Sequence, residues 1–383
     1  MSEKTVMDDL PKRFREIFKR NSAVVARAPG RVNLIGEHTD YNEGFVLPAA
    51  IERATYMAAA PRKDRKVRLV AIDLNRETSF DLDAIGISQE EPWSNYIRGV
   101  AAGLVQAKYP VQGMDAVIHS EIPIASGLSS SAALEMAAIW AFRATGHFDI
   151  PSEQAARIGQ RAEHEFVGTR TGLMDQLASA LGQQDHALFI DCRDLKCQAV
   201  PIPKGATILI ADTAASRELA FSAYNERRSQ CETAAAAMGV PWLRDATIEK
   251  LEAAAMDEIV ARRARHIIEE NQRVNETVSA LREGNLQRVG LLMDSSHVSM
   301  RDLYGISSRE LDTMVELLRS QKGCCGARLT GAGFGGCAVA LMKSDAVKAA
   351  IPVVAAAYES RTGLKPSLYP TRAAAGAGVL PVK

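Results

Sequence analysis

Apolar positions in the first half of the chain follow two patterns, short extended runs and longer stretches with helical spacing. The extended runs are bounded by polar or turn-forming residues and predict strands. They cover 22–28, 44–51, 54–61, 66–73, 115–123, 186–194 and 196–203. Helical spacing predicts an amphipathic helix over 9–20 and helices that begin near Trp93, Ser131 and Ser152. For the last of these helices we expect Ser152 to be the N-cap.

The second half of the chain begins with one more extended run, 206–213, and then becomes mostly helical. An extended segment over 328–342 interrupts the helical stretches. The predicted helices cover 224–238, 247–283 with at least one break, 285–300, 307–320 and 346–360. Interspersed strands and helices indicate an α/β or α+β fold. The length of 383 residues is enough for two domains. With a boundary near 195–205, we expect an N-terminal lobe over 1–195 and a C-terminal lobe over 196–383.

Composition and charge favour a cytoplasmic enzyme. The chain has 46 basic and 46 acidic residues and a formal net charge of zero. This balance argues against a nucleic-acid partner or a membrane surface, because both attract a strong basic excess. No apolar run approaches the ~20 residues that span a bilayer, and the N-terminus lacks the apolar core of a signal peptide. The six cysteines have no C-x-x-C spacing, so we expect them to be reduced and not to bind zinc.

A loop rich in serine and glycine leads into the helix near residue 131. Gly127, Ser129, Ser130 and Ser131 lie at this strand-to-helix junction. A helix N-terminus has unpaired N–H groups and a partial positive charge, which attract phosphate. Taken alone, a serine N-cap on an ordinary helix explains the pattern about equally well. Two more glycine-rich segments, 26–48 and 328–341, favour a ligand with several charged groups. Neither has the spacing of a Walker A loop or of a dinucleotide-binding motif.

Polar residues suited to a sugar are concentrated in the first of these segments. Glu37, His38, Asp40 and Asn42 lie within six positions and can bond several hydroxyl groups. A polar surface turn is the alternative interpretation. Arg31 precedes the cluster and could stabilise the charge on a transferring phosphoryl group.

Several other polar residues are candidates with a simpler structural alternative. Asp175 lies among apolar residues, which indicates either an N-cap or a buried carboxylate with an arginine partner. Most glutamates on helices are solvated, so the simplest interpretation of Glu163 is a solvated charge on a helix surface. Tyr224 is expected to be half-buried, next to a solvated helix face that carries Arg227 and Arg228. We expect core or capping roles for the two remaining candidates, His266 and His297.

Three motifs resemble those of the galactokinases, a family within the GHMP kinase superfamily. GRVNLIGEHTDYNEGFVLP resembles the galactokinase sugar signature almost letter for letter. SGLSSSAA is similar to the superfamily's phosphate loop, and LTGAGFGGCAVAL to its third motif. The resemblance spans roughly residues 11–375. It implies an α+β, two-lobed fold with an N-terminal ribosomal-protein-like α/β lobe and a C-terminal ferredoxin-like α+β lobe.

The resemblance also implies a role for each matching residue. Arg31 would stabilise the transition state, and Asp175 would accept the proton of the sugar O1 hydroxyl. Mg²⁺ would be held by Ser131 and Glu163, and Gly333 to Gly336 would shape the site between the lobes. The sugar would be bound by Glu37, His38, Thr39, Asp40, Gly172 and Tyr224. The ATP phosphates would be wrapped by Ala125, Ser126, Gly127, Leu128, Ser129, Ser130 and Ser131.

The expected function is therefore ATP-dependent phosphorylation of D-galactose at O1, with Mg²⁺, giving galactose 1-phosphate and ADP. Two alternatives stay open: a kinase for N-acetylgalactosamine, arabinose or galacturonate, and a non-catalytic sensor of galactose and ATP.

The sequence departs from the family pattern at Ala125, where glycine is usual. It departs again at Arg170 and Thr171, where a small residue and a cysteine are common. The oligomeric state, monomer or weak dimer, is left open.

Overall fold

The computed structural model describes residues 3–123, 126–216 and 220–381. Ala125 of the predicted phosphate loop lies outside these described residues. The strands are β1 (Val24–Asn33), β2 (Phe45–Val46), β3 (Pro48–Pro61), β4 (Lys66–Ala71), β5 (Arg76–Asp81), β6 (Met114–Ser120), β7 (His186–Asp191), β8 (Lys196–Pro201), β9 (Ala206–Asp212), β10 (Cys324–Leu329), β11 (Cys337–Lys343), β12 (Ser367–Thr371) and β13 (Gly378–Leu380). The helices are α1 (Glu3–Phe18), α2 (Asn95–Gln106), α3 (Ser130–Gly146), α4 (Ser152–Ala162), α5 (Met174–Leu181), α6 (Ala220–Ala237), α7 (Ile248–Ala253), α8 (Glu258–Arg282), α9 (Leu286–Ser299), α10 (Arg309–Arg319) and α11 (Ser344–Thr362).

A six-stranded sheet organises the N-terminal part of the chain. Its order is β13-β1-β3-β6-β4-β5, with β4 and β6 parallel and the other neighbours antiparallel. On one face, α1 places Leu10 and Phe14 against Tyr56 of β3. On the opposite face, the core includes Met57 of β3 and Met136 of α3. Because β13 pairs with β1, the last described residues of the chain return to the first sheet.

A four-stranded antiparallel sheet organises the C-terminal part, in the order β10-β11-β9-β12. Successive residues of a strand point to opposite faces, and β9 shows this alternation clearly. Leu209 and Ala211 pack into a core with α10 and α11. Ile208 and Ile210 join a second core that also contains residues of β1 and α8. This second core fixes the two sheets relative to each other. A three-stranded sheet, β2-β7-β8, lies beside them.

Most predicted elements are confirmed, and the differences have local causes. The predicted runs 44–51 and 54–61 belong to β2 and β3, and β3 continues without a break between them. The predicted segment 328–342 is two strands, because the turn between β10 and β11 contains glycines in the left-handed region. Ser152 is the first residue of α4 and Pro151 holds the N-cap position, so the Ser152 cap is wrong. Strand β5 was not predicted because its sequence, RETSFD, is mostly polar.

Within the described residues, the helices do not combine the length and apolar character needed to cross a membrane. All six cysteines are free thiols, as expected.

Candidate active site between the sheets

A cavity of about 560 Å³ lies where the three glycine-rich segments meet. β1 and the turn after it supply one wall, the start of α3 supplies the second, and the β10–β11 turn closes the third. Most predicted site residues line this cavity, although they are far apart in the sequence. They are Arg31, Glu37, His38, Asp40, Gly127, Ser129, Ser130, Ser131, Glu163, Gly172, Asp175 and Tyr224.

Arg31 and Asp175 form a bidentate ion pair at the centre of the cavity. Arg31 Nε lies 2.8 Å from Asp175 Oδ1, and Nη2 lies 2.9 Å from Oδ2. Ser129 Oγ donates to Asp175 Oδ2 at 2.5 Å, and Arg31 Nη1 donates to the Gly127 carbonyl at 2.5 Å. The predicted arginine partner of Asp175 is confirmed. Asp175 is the second residue of α5 and not its N-cap. These bonds join the carboxylate, the arginine and the serine-rich loop into one rigid unit.

Glu37 is almost completely buried, and three groups bond its carboxylate. The Asn33 amide donates to Oε2, the Gly331 N–H donates to Oε1 at 2.5 Å, and Arg328 Nη2 lies 3.4 Å from Oε2. Burial raises the pKa of Glu37, and the charges of Arg328 and Arg31 oppose that rise. Arg328 is fully buried, and its Nε and Nη1 atoms have no hydrogen-bond partner among the described residues. Its position next to Glu37 therefore favours the ionised form of that carboxyl group.

His38 is a buried, neutral imidazole at the edge of the cavity. Burial lowers its pKa to about 3, and the nearby charges of His266, Arg227 and Arg328 act in the same direction. A ring with so low a pKa is uncharged at neutral pH. His38 can therefore donate through one nitrogen and accept through the other.

Asp40 and Gly172 are in direct contact. A Cβ atom on Gly172 would lie 1.9 Å from Asp40 Oδ2, so only glycine allows this close approach. Burial and the nearby Asp175 carboxylate raise the pKa of Asp40 to about 7. Two carboxyl groups, Asp40 and Asp175, thus face one cavity from different elements. Such an arrangement offers several acceptors to a polyhydroxylated ligand.

Three residues that were predicted to bind sugar or ATP do not line the cavity, and they hold the two loops in place instead. The Thr39 hydroxyl is fully buried, within hydrogen-bond distance of the Gly36 and Phe45 carbonyls. Ser126 Oγ donates to the Pro123 carbonyl at 2.8 Å. The side chain of Leu128 is buried, and its carbonyl accepts from the Arg31 N–H at 3.1 Å. Their contacts with the rest of the molecule hold the backbone of the two loops in place.

Glu163 lies where α4 passes into a short π-helical segment, Glu163–Val167. It is 5% exposed, so the interpretation as a solvated helix charge is wrong. Thr171 Oγ1 donates to Glu163 Oε2 at 2.6 Å. Burial raises the pKa of Glu163, and hydrogen bonds from Ser131, Thr171 and Gln176 oppose that rise.

Within the described residues, no group of three or more His, Cys, Asp or Glu side chains could hold a metal. One carboxylate and one hydroxyl fit Mg²⁺ that takes its remaining ligands from phosphate and water.

The remaining candidates divide between core and cavity. His266 and His297 are buried, which confirms the prediction of core or capping roles. Arg227 is only 8% exposed and donates to the Tyr304 carbonyl at 3.1 Å, so its predicted solvated position is wrong.

The sequence analysis did not identify Arg328, which contacts Glu37 although the two residues are far apart in the sequence. It also missed the apolar end of the cavity, which is lined by Leu74, Trp93, Tyr96, Ile118 and Leu134. The run WSNYIRGV gave no local chemical signal for such a wall.

Comparison with known proteins agrees with this geometry. Residues 12–61 match a family model described as the galactokinase galactose-binding signature. Residues 95–183 match the GHMP kinases N terminal domain, and 277–360 match the GHMP kinases C terminal model. Among solved structures, galactokinase from Lactococcus lactis, complexed with galactose, is 37% identical. That match covers 98% of this chain and 100% of the other, with a TM-score of 0.94.

More distant matches share the fold. Mevalonate kinase from Methanococcus jannaschii is 20% identical over 93% of this chain and 99% of its own, with a TM-score of 0.65. Phosphomevalonate kinase from Streptococcus pneumoniae is 13% identical over 91% of this chain and 99% of its own, with a TM-score of 0.64. The fold and the two domain matches define a GHMP kinase. Within that class, the sugar signature and the long match to the Lactococcus enzyme are decisive: the chain belongs to the galactokinase family.

Proposed function

We propose that this protein transfers the γ-phosphoryl group of ATP to O1 of D-galactose, giving galactose 1-phosphate and ADP. One observation carries the proposal. Residues of the galactose-binding signature line the same cavity as the Arg31–Asp175 pair and the start of the serine-rich loop. A sugar held by Glu37 and Asp40 would therefore lie next to both a proton acceptor and a phosphate site.

Asp175 is the proposed proton acceptor for the sugar hydroxyl. Its side chain is 24% exposed and lines the cavity, and Arg31 and Ser129 bond its two carboxylate oxygens. These bonds fix the orientation of the carboxylate before the sugar arrives, which lowers the cost of reaching the reactive geometry. Arg31 would stabilise negative charge on the transferring phosphoryl group, because its guanidinium lies between Asp175 and the Gly127 carbonyl of the loop. Positioning and charge would supply most of the rate.

The serine-rich loop and the apolar end of the cavity are the proposed nucleotide site. The N–H groups at the start of α3 would bind the phosphates. Leu74 and Trp93 offer an apolar surface for the base. Ser131 and Glu163 would hold Mg²⁺, which when bound would neutralise charge on the phosphates.

The sugar side of the cavity favours a neutral hexose. An acid at C6 of the sugar would meet the Glu37 carboxylate, and two like charges at short range repel. Galacturonate is therefore disfavoured relative to galactose. We expect glucose to be a very poor substrate, because an axial hydroxyl matched to Asp40 leaves a buried polar group unpaired when it is absent.

A coupled assay of ADP release tests the proposal directly. The panel contains galactose, glucose, N-acetylgalactosamine, arabinose and galacturonate, each with ATP and Mg²⁺. Galactose should give the highest kcat/KM, with steady turnover. A higher kcat/KM for another sugar would reassign the substrate. Binding of galactose and ATP without steady turnover would indicate a sensor and not an enzyme.

A further inference from the structure

The Thr171 hydroxyl bonds the buried carboxylate of the proposed metal site. Thr171 Oγ1 donates to Glu163 Oε2 at 2.6 Å, and both residues line the cavity. A hydroxyl that donates to a carboxylate forms a charge-assisted hydrogen bond, which is shorter and stronger than a bond between neutral groups. One carboxylate oxygen of Glu163 therefore has a fixed partner before a ligand enters the cavity.

Thr171 is tied to the same helical turn that carries Glu163. Its carbonyl accepts from Gln160 Nε2 at 3.0 Å and from His164 Nε2 at 2.9 Å. The chain also folds back on Glu163, whose own carbonyl accepts from the Gly168 N–H at 2.8 Å. The end of α4 and the loop after it are thus joined by several hydrogen bonds. Because of these bonds, the Thr171 hydroxyl can move little relative to the Glu163 carboxylate.

The two proposed ligands of Mg²⁺ lie next to each other. The Ser131 hydroxyl also hydrogen-bonds the Glu163 carboxylate, so the two oxygen donors converge on one place in the cavity. A ligand whose orientation is already fixed loses less freedom when an ion binds. Groups that fix a ligand from behind therefore contribute to metal affinity without touching the metal. The Thr171 hydroxyl has the position of such a group.

The sequence departs from the family pattern at this same residue. A cysteine is common at position 171, and this chain has threonine. A thiol is only a weak donor, whereas a hydroxyl donates readily to a carboxylate. Threonine is also branched at Cβ, which restricts its χ1 angle and keeps the hydroxyl in few orientations. The departure therefore gives Glu163 a stronger partner than a cysteine would.

We propose that Thr171 is a positioning residue for the metal site, and that its hydroxyl orients the Glu163 carboxylate for Mg²⁺ binding. The proposal rests on the proposed function, because it requires Glu163 to hold the Mg²⁺ that accompanies the nucleotide. Thr171 would act on the metal only through Glu163. Loss of its hydroxyl should therefore weaken metal binding and leave sugar binding unchanged.

The test compares threonine variants of the full chain. Thr171→Val removes the hydroxyl and keeps the branched shape, whereas Thr171→Ser keeps the hydroxyl. Thr145→Val is the matched control, because the buried Thr145 hydroxyl donates to the Ala141 carbonyl at 2.9 Å. This residue lies near the opposite end of α3 from Ser131. Glu163→Gln is the reference for direct loss of the proposed ligand.

The first readout is the Kd for Mn²⁺ with ADP present and galactose absent. Mn²⁺ prefers the same oxygen ligands as Mg²⁺, and electron paramagnetic resonance measures the free ion. We expect Thr171→Val to raise this Kd about 10-fold, as for loss of other groups that orient a ligand. Thr171→Ser and Thr145→Val should stay within about twofold of wild type, because both keep the bond to Glu163. If Thr171→Val does not fold, Thr171→Cys replaces it, since a thiol is a weak donor.

The double variant with Thr171→Val and Glu163→Gln tests whether Thr171 acts through Glu163. Once the carboxylate is gone, removal of the hydroxyl should not raise the Kd for Mn²⁺ further. Steady-state kinetics supply a second readout. The Mg²⁺ concentration for half-maximal rate should rise in Thr171→Val, and KM for galactose should stay within about twofold.

Several results would overturn the proposal. They are a wild-type Kd for Mn²⁺ in Thr171→Val or in the cysteine variant that replaces it, an equal loss of affinity in Thr171→Ser, and a further loss in the double variant. A rise of KM for galactose as large as the rise for Mg²⁺ would also overturn it, because that would indicate a merely structural role.

Failure of the proposed function gives different results. An unchanged Kd for Mn²⁺ in Glu163→Gln would refute the metal role of Glu163 and, with it, the role of Thr171. The Kd is measured without galactose and without turnover. Wild type that binds Mn²⁺ with ADP but does not phosphorylate galactose would therefore refute the proposed function and leave the role of Thr171 standing.

Discussion

Replacement of Gly172 by alanine tests the sugar site with a single methyl group. The new Cβ would lie 1.9 Å from Asp40 Oδ2 and 2.3 Å from Cγ. An ordinary contact begins near 3.4 Å, so the carboxylate must move by about 1.5 Å. The φ angle of Gly172 lies outside the left-handed region, and alanine therefore adds no backbone strain there. The substitution displaces Asp40 and keeps its carboxyl group.

The expected loss follows from the hydrogen bonds that a displaced carboxylate no longer makes. Above a pH of about 7, where Asp40 is mostly ionised, bonds to its charged carboxylate contribute about 1.5–3 kcal/mol, which corresponds to a fall of roughly 10- to 150-fold in kcat/KM for galactose. KM for ATP should change less than about twofold, because Asp40 belongs to the proposed sugar site and not to the proposed nucleotide site. The assay is coupled ADP release with either substrate varied.

Gly86→Ala is the matched control, because a Cβ at Gly86 meets nothing within 4 Å. It should leave both KM values and the melting temperature unchanged. A Gly172→Ala protein that folds normally and keeps its kcat/KM for galactose would refute the reasoning. In that case either Asp40 does not bind the sugar, or the turn that holds it yields without cost.

Three further predictions concern acidic residues. Asp175→Asn should lower kcat by about 10²–10⁴ in steady-state assays, the usual contribution of a positioned base; a nearly wild-type kcat would exclude that role. Glu163→Gln should raise the Mg²⁺ concentration for half-maximal rate without changing galactose binding, and titration curves that overlay would make Glu163 a structural residue. Burial raises the pKa of the Glu135 carboxyl group well above 4.5. The stability that the protonated carboxyl group contributes is therefore fully present below about pH 4.5 and is lost as the pH rises through the raised pKa. Glu135→Gln should flatten this decline in urea unfolding measured across pH, and parallel curves would contradict it.

The parts of the site that the sequence predicted well are those built from neighbouring residues. Arg31, Glu37, His38 and Asp40 belong to one short segment, so their chemistry was visible as a cluster. Arg328 was not visible, because it reaches Glu37 from a strand almost 300 positions later. Fully buried arginines are also rare, so the residue type alone predicts a surface position for Arg328.

Two charged residues show why base rates failed. Glu163 and Arg227 lie on helices whose sequences resemble ordinary solvated faces. Both are buried: Glu163, directly after α4, lines the cavity, and Arg227 of α6 contacts the backbone of Tyr304. Hydrogen bonds from Thr171 to Glu163, and from Arg227 to a backbone carbonyl, offset the cost of burial. Such compensation depends on partners from other elements, and helical periodicity contains no information about them.

Each of the three segments that carry the sequence motifs contains a residue in the left-handed backbone conformation, although such residues also occur elsewhere in the described part of the chain. His38, Ser129 and Phe334 have φ angles of 64°, 58° and 59°, in the left-handed region that side chains other than glycine rarely adopt. Each costs about 1–2 kcal/mol relative to an ordinary conformation. The surrounding contacts compensate: Tyr41 bonds the His38 ring, Ser129 bonds Asp175, and the Phe334 N–H donates to the Ile306 carbonyl at 2.8 Å.

Glycine would remove the strain at His38 and Ser129, but it would also remove the side chains that face the cavity. Ser129→Gly would lose the hydroxyl that bonds the Asp175 carboxylate, and His38→Gly would lose the imidazole ring that lines the cavity. At these two positions the side chain is therefore kept for its role in the site, although it leaves the backbone strained. Strain kept where glycine would be easier is expected at a functional site, and here it coincides with the side chains on which the proposed mechanism depends.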